Sequence, residues 1–261
     1  MSTTPFYDPI TLILCMLALA LLPFAIMMMT SFIKLVVVMN LLRQAMGLQQ
    51  VPPNMVINGL AVVLTLYIMA PTLQDSTRRI SESYSTLQSL KEDPDHFRLP
   101  THMEPLKAAG QNDVRWLSSI LTSTQAGQTV SHAEELIAIA GYAKQPIVHF
   151  LHKHTPEKYR TFFIRIAKRL WPQAYVKNIR ESDLLICVPA FVLSELTSAF
   201  EIGFIIYLPF IVIDLIVSNI LLALGMMMVS PMTISLPFKL MLFVLVNGWD
   251  KLIEALALTY R

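Results

Sequence analysis

The sequence predicts an all-α membrane protein, with two hydrophobic helical hairpins flanking a helical polar domain. Three observations carry that prediction. Hydrophobic residues make up 54% of the 261-residue chain and charged residues only 15%. A soluble globular chain has about a quarter of its residues charged, so here there is too little polar surface to cover a water-facing globule. The charges are also segregated: residues 71–183 hold 27 of the 38 Asp, Glu, Lys and Arg, and all six His. Finally, the apolar runs are long and lack the strict alternation of a half-buried strand. The order is therefore an apolar hairpin over 1–70, a polar domain over 71–183 and a second apolar hairpin over 184–261. A net charge of +2 is no electrostatic footprint for nucleic acid.

The first apolar run, Ile10 to Met29, has about the length of a bilayer-crossing helix, and Pro23 inside it is expected to kink it. It has no Lys or Arg ahead of it, so it is expected to remain in the mature protein and not to be a cleaved leader. Apolar residues continue to Met46, interrupted by Lys34. This leaves two readings: one long helix, or a span followed by an amphipathic extension. Gly47 is a natural helix stop. The stretch from Gln49 to Asn54, with Pro52 and Pro53, reads as a turn, with Asn54 as N-cap of the next helix. Met55 to Ala70 forms the second run, closed by Pro71.

The polar domain reads as helical over Gln74–Leu90 and Asp113–Thr122, with a loop from Lys91 to Pro105. Glu134 to Phe150 is helical up to Pro146. Pro156 to Leu170 is a basic amphipathic helix, because Tyr159, Phe162, Phe163, Ile166 and Leu170 recur at three- and four-residue steps between Lys and Arg. The second apolar block runs as Leu184–Phe200, then Ile202–Val229, then Ile234–Val246 after a break at Gly225–Pro231. The bias of Lys and Arg near the spans places the N-terminus and the polar domain outside and the hairpin tips toward the cytoplasm.

Few residues invite chemistry. His149, His152 and His154 lack nearby Cys or carboxylate ligands, so they read as a solvated helix end and not as a metal site. Cys15 and Cys187 read as buried small hydrophobes. No phosphate-binding Gly loop, nucleophile elbow or metalloprotease helix is present in the sequence. The chain is expected not to be an enzyme and to need no cofactor or metal. Lys34, Glu195, Glu201, Asp214 and Lys239 lie in apolar surroundings, where charge is expensive and marks a partner or a function. They read as inter-helix or inter-subunit charges. An ion or proton relay is the alternative, but Glu195 and Glu201 are six residues apart and do not share a helix face. Met27–Met29 reads as core packing. Met226, Met227 and Met228 sit at a hairpin tip between helix breakers, where a deformable apolar plug for a pore fits better than packing.

A family resemblance rests on many spaced motifs in order. They are Phe191-Val192-Leu193-Ser194-Glu195-Leu196, Ala199-Phe200-Glu201-Ile202-Gly203-Phe204, Tyr207-Leu208-Pro209-Phe210, Ile213-Asp214-Leu215, Ala223 to Met228, Ser235-Leu236-Pro237-Phe238-Lys239-Leu240 and Leu245-Val246-Asn247-Gly248-Trp249. The first hairpin adds Thr30-Ser31-Phe32 with Lys34, Leu41-Leu42-Arg43 and Pro52-Pro53-Asn54. Over about 10–70 and 184–255 the chain resembles the FliP/SctR family of type III secretion export apparatus. The wording from Ser194 to Glu201 is more similar to the injectisome SctR branch than to the flagellar FliP branch. Many relatives carry Asp where Asn247 stands, so no charge role carries over there.

The resemblance implies a ring of five copies, assembled with SctS-like and SctT-like subunits, and with SctU-like and SctV-like components, into a helical export gate. Such a gate belongs to the bacterial inner membrane and conducts unfolded proteins across it, with the hairpins largely within the assembly and above the usual bilayer plane; the Lys and Arg bias makes residues 71–183 periplasmic. Met226, Met227 and Met228 are similar to the family's methionine gasket. A flagellar-type gate subunit and a small-solute or ion transporter using Glu195, Glu201 and Asp214 are the alternatives. A transporter usually shows internal repeats, and the two hairpins share none.

Overall fold

The computed structural model describes residues 9–48, 50–92, 141, 143–176, 179–226 and 228–261. Every element among them is a helix, the class the sequence predicts. Met227, the Asp113–Thr122 helix, most of the Lys91–Pro105 loop and the start of the Glu134–Phe150 stretch lie outside the described residues.

The first apolar run is two helices. α1 (Pro9–Met28) passes through Pro23, and α2 (Phe32–Ala45) follows it after a 66° change of axis. The break falls at Thr30 and Ser31. The Thr30 hydroxyl donates to the Met27 carbonyl at 3.4 Å, the kind of local bond by which Ser and Thr compete with the helical ladder. α2 ends in a Schellman motif: Gly47 has φ +80, its N–H donates to Gln44 O, and the Leu48 N–H donates to Arg43 O. Glycine suits that left-handed position because it has no Cβ to clash.

α3 (Asn54–Glu92) corrects the expectation that Pro71 closes the second run, because the helix continues through it. Pro71 leaves the Tyr67 carbonyl without its usual donor, a cost of about 3 kcal/mol in a helix interior. Cooperative propagation through good helix formers on both sides offsets it. Asn54 begins this helix, but its side chain accepts from Arg43 Nη1 at 2.6 Å and so ties α3 to α2.

Residues 141 and 143 are helical and Lys144 is a turn. α4 (Gln145–His154) carries Pro146 in its first turn, where a missing N–H is tolerated. α5 (Glu157–Leu170) is the expected basic helix, and α6 (Gln173–Val176) is a single turn. α7 (Leu184–Ala223) is one helix of 40 residues, ending at the expected break near Gly225. Glu201 does not interrupt it, and Pro189 and Pro209 lie inside it. At 1.5 Å per residue it is roughly 60 Å long, about twice the hydrocarbon thickness of a bilayer. α8 (Pro231–Leu245) starts with Pro at its first position. It is followed by α9 (Gly248–Leu258), which the sequence reading did not foresee. The 62° bend between them turns on Asn247 at φ 54, a left-handed residue type second only to Gly.

Two compact units result: residues 1–69 with 154–261, and residues 70–153. The first holds the core. Leu35, Val38, Leu42 and Ala45 recur along one face of α2 and pack on Ala61 of α3, Ala199 and Phe210 of α7, and Leu252 and Leu256 of α9. Small residues set the α2–α7 distance. A Cβ on Gly203 would lie 2.2 Å from Leu41 Cδ1 and 3.2 Å from Leu41 Cβ. Gly203→Val is therefore expected to destabilise the detergent-solubilised chain by about 1–3 kcal/mol through overpacking, read as a lowered Tm. Gly59→Ala, where nothing lies within 4 Å, should leave Tm unchanged or slightly raised. Equal Tm for Gly203→Val and wild type would contradict this packing.

α3, over Asn54–Ser85, and α7 are long and apolar enough to cross a membrane, and the bent pairs α1–α2 and α8–α9 raise the number to as many as four. Only 17% of the most apolar window of α7 is buried by the chain itself. Phe204, Ile205, Val212, Leu215 and Ile220 of α7 are each more than half exposed. Apolar surface on that scale marks a lipid or protein contact.

Candidate functional site

One ion pair is buried in the apolar core and a second is buried on its lysine side, and both join α2 or its C-terminus to later helices. Lys34 of α2 lies 3.0 Å from Glu195 of α7, with side chains 5% and 3% exposed. The Tyr260 hydroxyl donates to the other carboxylate oxygen of Glu195, and the Lys34 ammonium sits 4.5 Å over the Tyr260 ring. His154 packs edge-on against that ring. The carboxylate thus has a cation and a hydroxyl, and the cation has a carboxylate and a π face. Burial and then the Glu195 charge hold the Tyr260 phenol well above its ordinary pKa, so it stays a hydrogen-bond donor.

The second pair is Lys239 of α8 and Asp214 of α7, at 2.6 Å. The Lys239 ammonium also donates to the Ala45 carbonyl at 3.1 Å, in the last turn of α2, where a cation complements the helix dipole. Ser235 donates to the other oxygen of Asp214 at 2.6 Å. Lys239 is buried, whereas the Asp214 side chain is 37% exposed. Next to this pair, Ile213, Ile216, Val217, Ile220 and Leu221 of α7 and Ile234 and Phe238 of α8 line a cavity of about 370 Å³.

Glu201 stands apart. It lies on the exposed side of α7, and no ion pair to it forms among the described residues. The structure therefore brings four of the five charges into two pairs and leaves Glu201 facing outward from the single chain. Tyr260 and Ser235 complete the pairs and were missed from the sequence. Tyr260 could have been found, since Leu252, Leu256 and Tyr260 recur at four-residue steps in the sequence, the spacing of one helix face.

The methionine segment lies between α7 and α8. α7 ends in a second Schellman motif: Gly225 has φ +73, its N–H donates to Leu222 O, and the Met226 N–H donates to Leu221 O. Pro231 then opens α8. The described residues between those two stops, Met226 and 228–230, are outside any helix. Met226 is 44% exposed and Met228 is 100% exposed, so among the described residues neither has a core to enter. Among the described residues no group of three or more His, Cys, Asp or Glu could hold a metal ion. Cys187 is buried, a free thiol donating to Glu181 O at 2.9 Å.

The sequence matches the FliP family model over residues 15–256. The chain belongs to the FliP family. Its relatives include the hypersensitivity response secretion protein HrcR of Ralstonia nicotianae, 40% identical over 96% of this chain and 97% of that protein. Yop proteins translocation protein R of Yersinia pestis is 42% identical over 97% of both chains. Virulence protein YscR of Salmonella typhimurium is 42% identical over 93% of both. These similarities place the chain in the SctR branch of type III secretion within the FliP family. They run through both apolar blocks and the polar segment between them, so the two ion pairs and the methionine loop lie inside the matched region.

Proposed function

We propose that the chain is the core subunit of a type III secretion export gate, a multi-pass protein of the bacterial inner membrane whose copies surround the path of unfolded proteins in transit. The coarser part, a membrane component of a type III protein-secretion apparatus, rests on full-length similarity to proteins named for secretion and translocation. The observation that carries the finer part is the methionine segment, held between two helix stops, whose Met226 and Met228 are exposed among the described residues. Repeated by symmetry around an axis, flexible thioether side chains would close an opening yet part for many peptide sequences. In this reading five copies assemble with SctS-like and SctT-like subunits, and with SctU-like and SctV-like components, and residues 71–183 face the periplasm. Glu201 and the part-exposed Asp214 then face neighbouring subunits. The reading assigns the chain no catalytic step.

The test is the native mass and composition of the detergent-extracted particle. A multi-subunit complex of defined mixed composition is expected, and a monomer or small oligomer would favour a transporter. Asp214→Leu removes the partner of Lys239 and a polar group at the proposed subunit face. It is expected to reduce the assembled fraction several-fold, because it leaves the buried Lys239 ammonium without its carboxylate, and a charge stranded in this way is destabilising. Normal assembly with abolished secretion would instead favour a relay role for Asp214.

A further inference from the structure

Ser235 and Lys239 stand about one turn apart on α8, and both close on Asp214 of α7. The Ser235 hydroxyl donates to Oδ1 and the Lys239 ammonium to Oδ2, each at 2.6 Å, short contacts of the kind a carboxylate makes when it is ionised. The same ammonium reaches Ala45 O, so one side chain ties α8 to both α7 and α2. A Cβ on Gly47 would lie 3.7 Å from Met232 Cγ, which puts the first turn of α8 against the end of α2. The methionine segment is strung between the helices fixed in this way. It leaves α7 at Gly225, about three turns beyond Asp214, and enters α8 at Pro231, about one turn before Ser235. Within the segment, the Val229 N–H donates to Met226 O at 3.4 Å, long for a hydrogen bond. The helices on either side therefore set where the segment stands, and a shift of α8 along α7 moves it.

The two arms differ in what release costs. The Ser235 hydroxyl has a second acceptor in its own helix, Met232 O at 3.2 Å. Asp214 is 37% exposed, so water can take the place of that hydroxyl. Letting go at Ser235 strands neither group. Lys239 is buried, and without the carboxylate its charge keeps, among the described residues, the Ala45 carbonyl, a costly state for a buried ammonium. Lys239 is the fixed arm and Ser235 the yielding one. We propose that Ser235 and Lys239 are positioning residues for the methionine segment: they latch α8 onto α7 and α2 in the resting gate, and the latch yields first at Ser235. This rests on the gate reading above and adds to it the contact that sets where the methionines stand. Packed helices shift between discrete arrangements, so losing one arm of the latch displaces the segment at the end of α8 and opens the seal.

The test is resting ion leak per assembled complex in cells, compared among S235A, D214N, G203V and the triple variant M226A/M227A/M228A, with Tm measured on the extracted proteins. S235A removes only the yielding hydroxyl. It is expected to assemble in wild-type amount and to raise leak several-fold. D214N keeps the shape of the carboxyl group and removes its charge, which loosens both arms. Per complex it should leak more than S235A, and it carries the test if S235A does not assemble. G203V loosens the contact of α7 with Leu41, about three turns from Asp214 along α7. It should lower Tm further than S235A and yet not leak. Assembled S235A and D214N that leak no more than wild type, while the triple methionine variant leaks, overturn the latch and leave the gate reading standing. Leak that follows the loss of Tm across all variants, G203V included, also overturns it, because Ser235 would then only stabilise the fold. A triple methionine variant that does not leak removes the gate reading and the latch together.

Discussion

Lys34→Met is expected to abolish the cooperative melt of the purified chain or lower its Tm by many degrees. The substitution removes the cation 3.0 Å from Glu195, in a place where both side chains are at most 5% exposed. Among the described residues the carboxylate then keeps the Tyr260 hydroxyl. Breaking a buried pair from one side costs roughly 3–5 kcal/mol because the remaining charge has no water to return to, a large share of the ~5–15 kcal/mol that holds a typical protein folded. The pair also lies between α2 and α7, the helices that share the core, so its loss is not confined to a surface. Lys34→Met with Glu195→Gln should recover much of the loss, since no charge is left stranded, and Tyr260→Phe should cost less than Lys34→Met. Thermal unfolding in detergent measures all three. Additive losses in the double variant would mean that the two side chains do not depend on each other.

Hydropathy carried much of this architecture because it reports which segments must leave water, whether into the chain's own core or against a lipid or protein surface. The apolar runs became α1, α2, α3, α7 and α8, and the glycines at 47 and 225 stopped helices where a left-handed residue was required. Proline misled the reading at Pro71. A proline inside a helix costs one hydrogen bond, and a long cooperative helix absorbs that when both flanks propagate. α9 escaped notice because its buried stripe, Leu252 and Leu256, is short and follows a bend centred on one asparagine. The isolated charges were legible as costly, but their pairing was not. Lys34 and Glu195 are far apart in sequence, and Lys239 finds the Ala45 carbonyl across 194 positions. Only the packing of α2 against the C-terminal helices brings such groups together.

The methionine loop carries the central claim. Gly225 and Pro231 bound a segment between two helices, and Met226 and Met228 are exposed on it among the described residues. Met227 belongs to the same run in sequence. If the loops of several copies converge on an axis, their side chains form the narrowest apolar ring of the path. Replacing each Met with Ala removes the flexible part of every side chain while leaving the two helix stops in place. The variant M226A/M227A/M228A is expected to assemble normally, to widen the constriction, and to raise resting ion leak several-fold while secretion is retained at least in part. The direct measurement is membrane conductance in cells carrying the assembled complex, compared between wild type and the triple variant. A marked rise in leak with an unchanged amount of complex is the predicted result. An assembled triple variant that leaks no more than wild type would show that these methionines only pack, and that the seal of the path lies elsewhere.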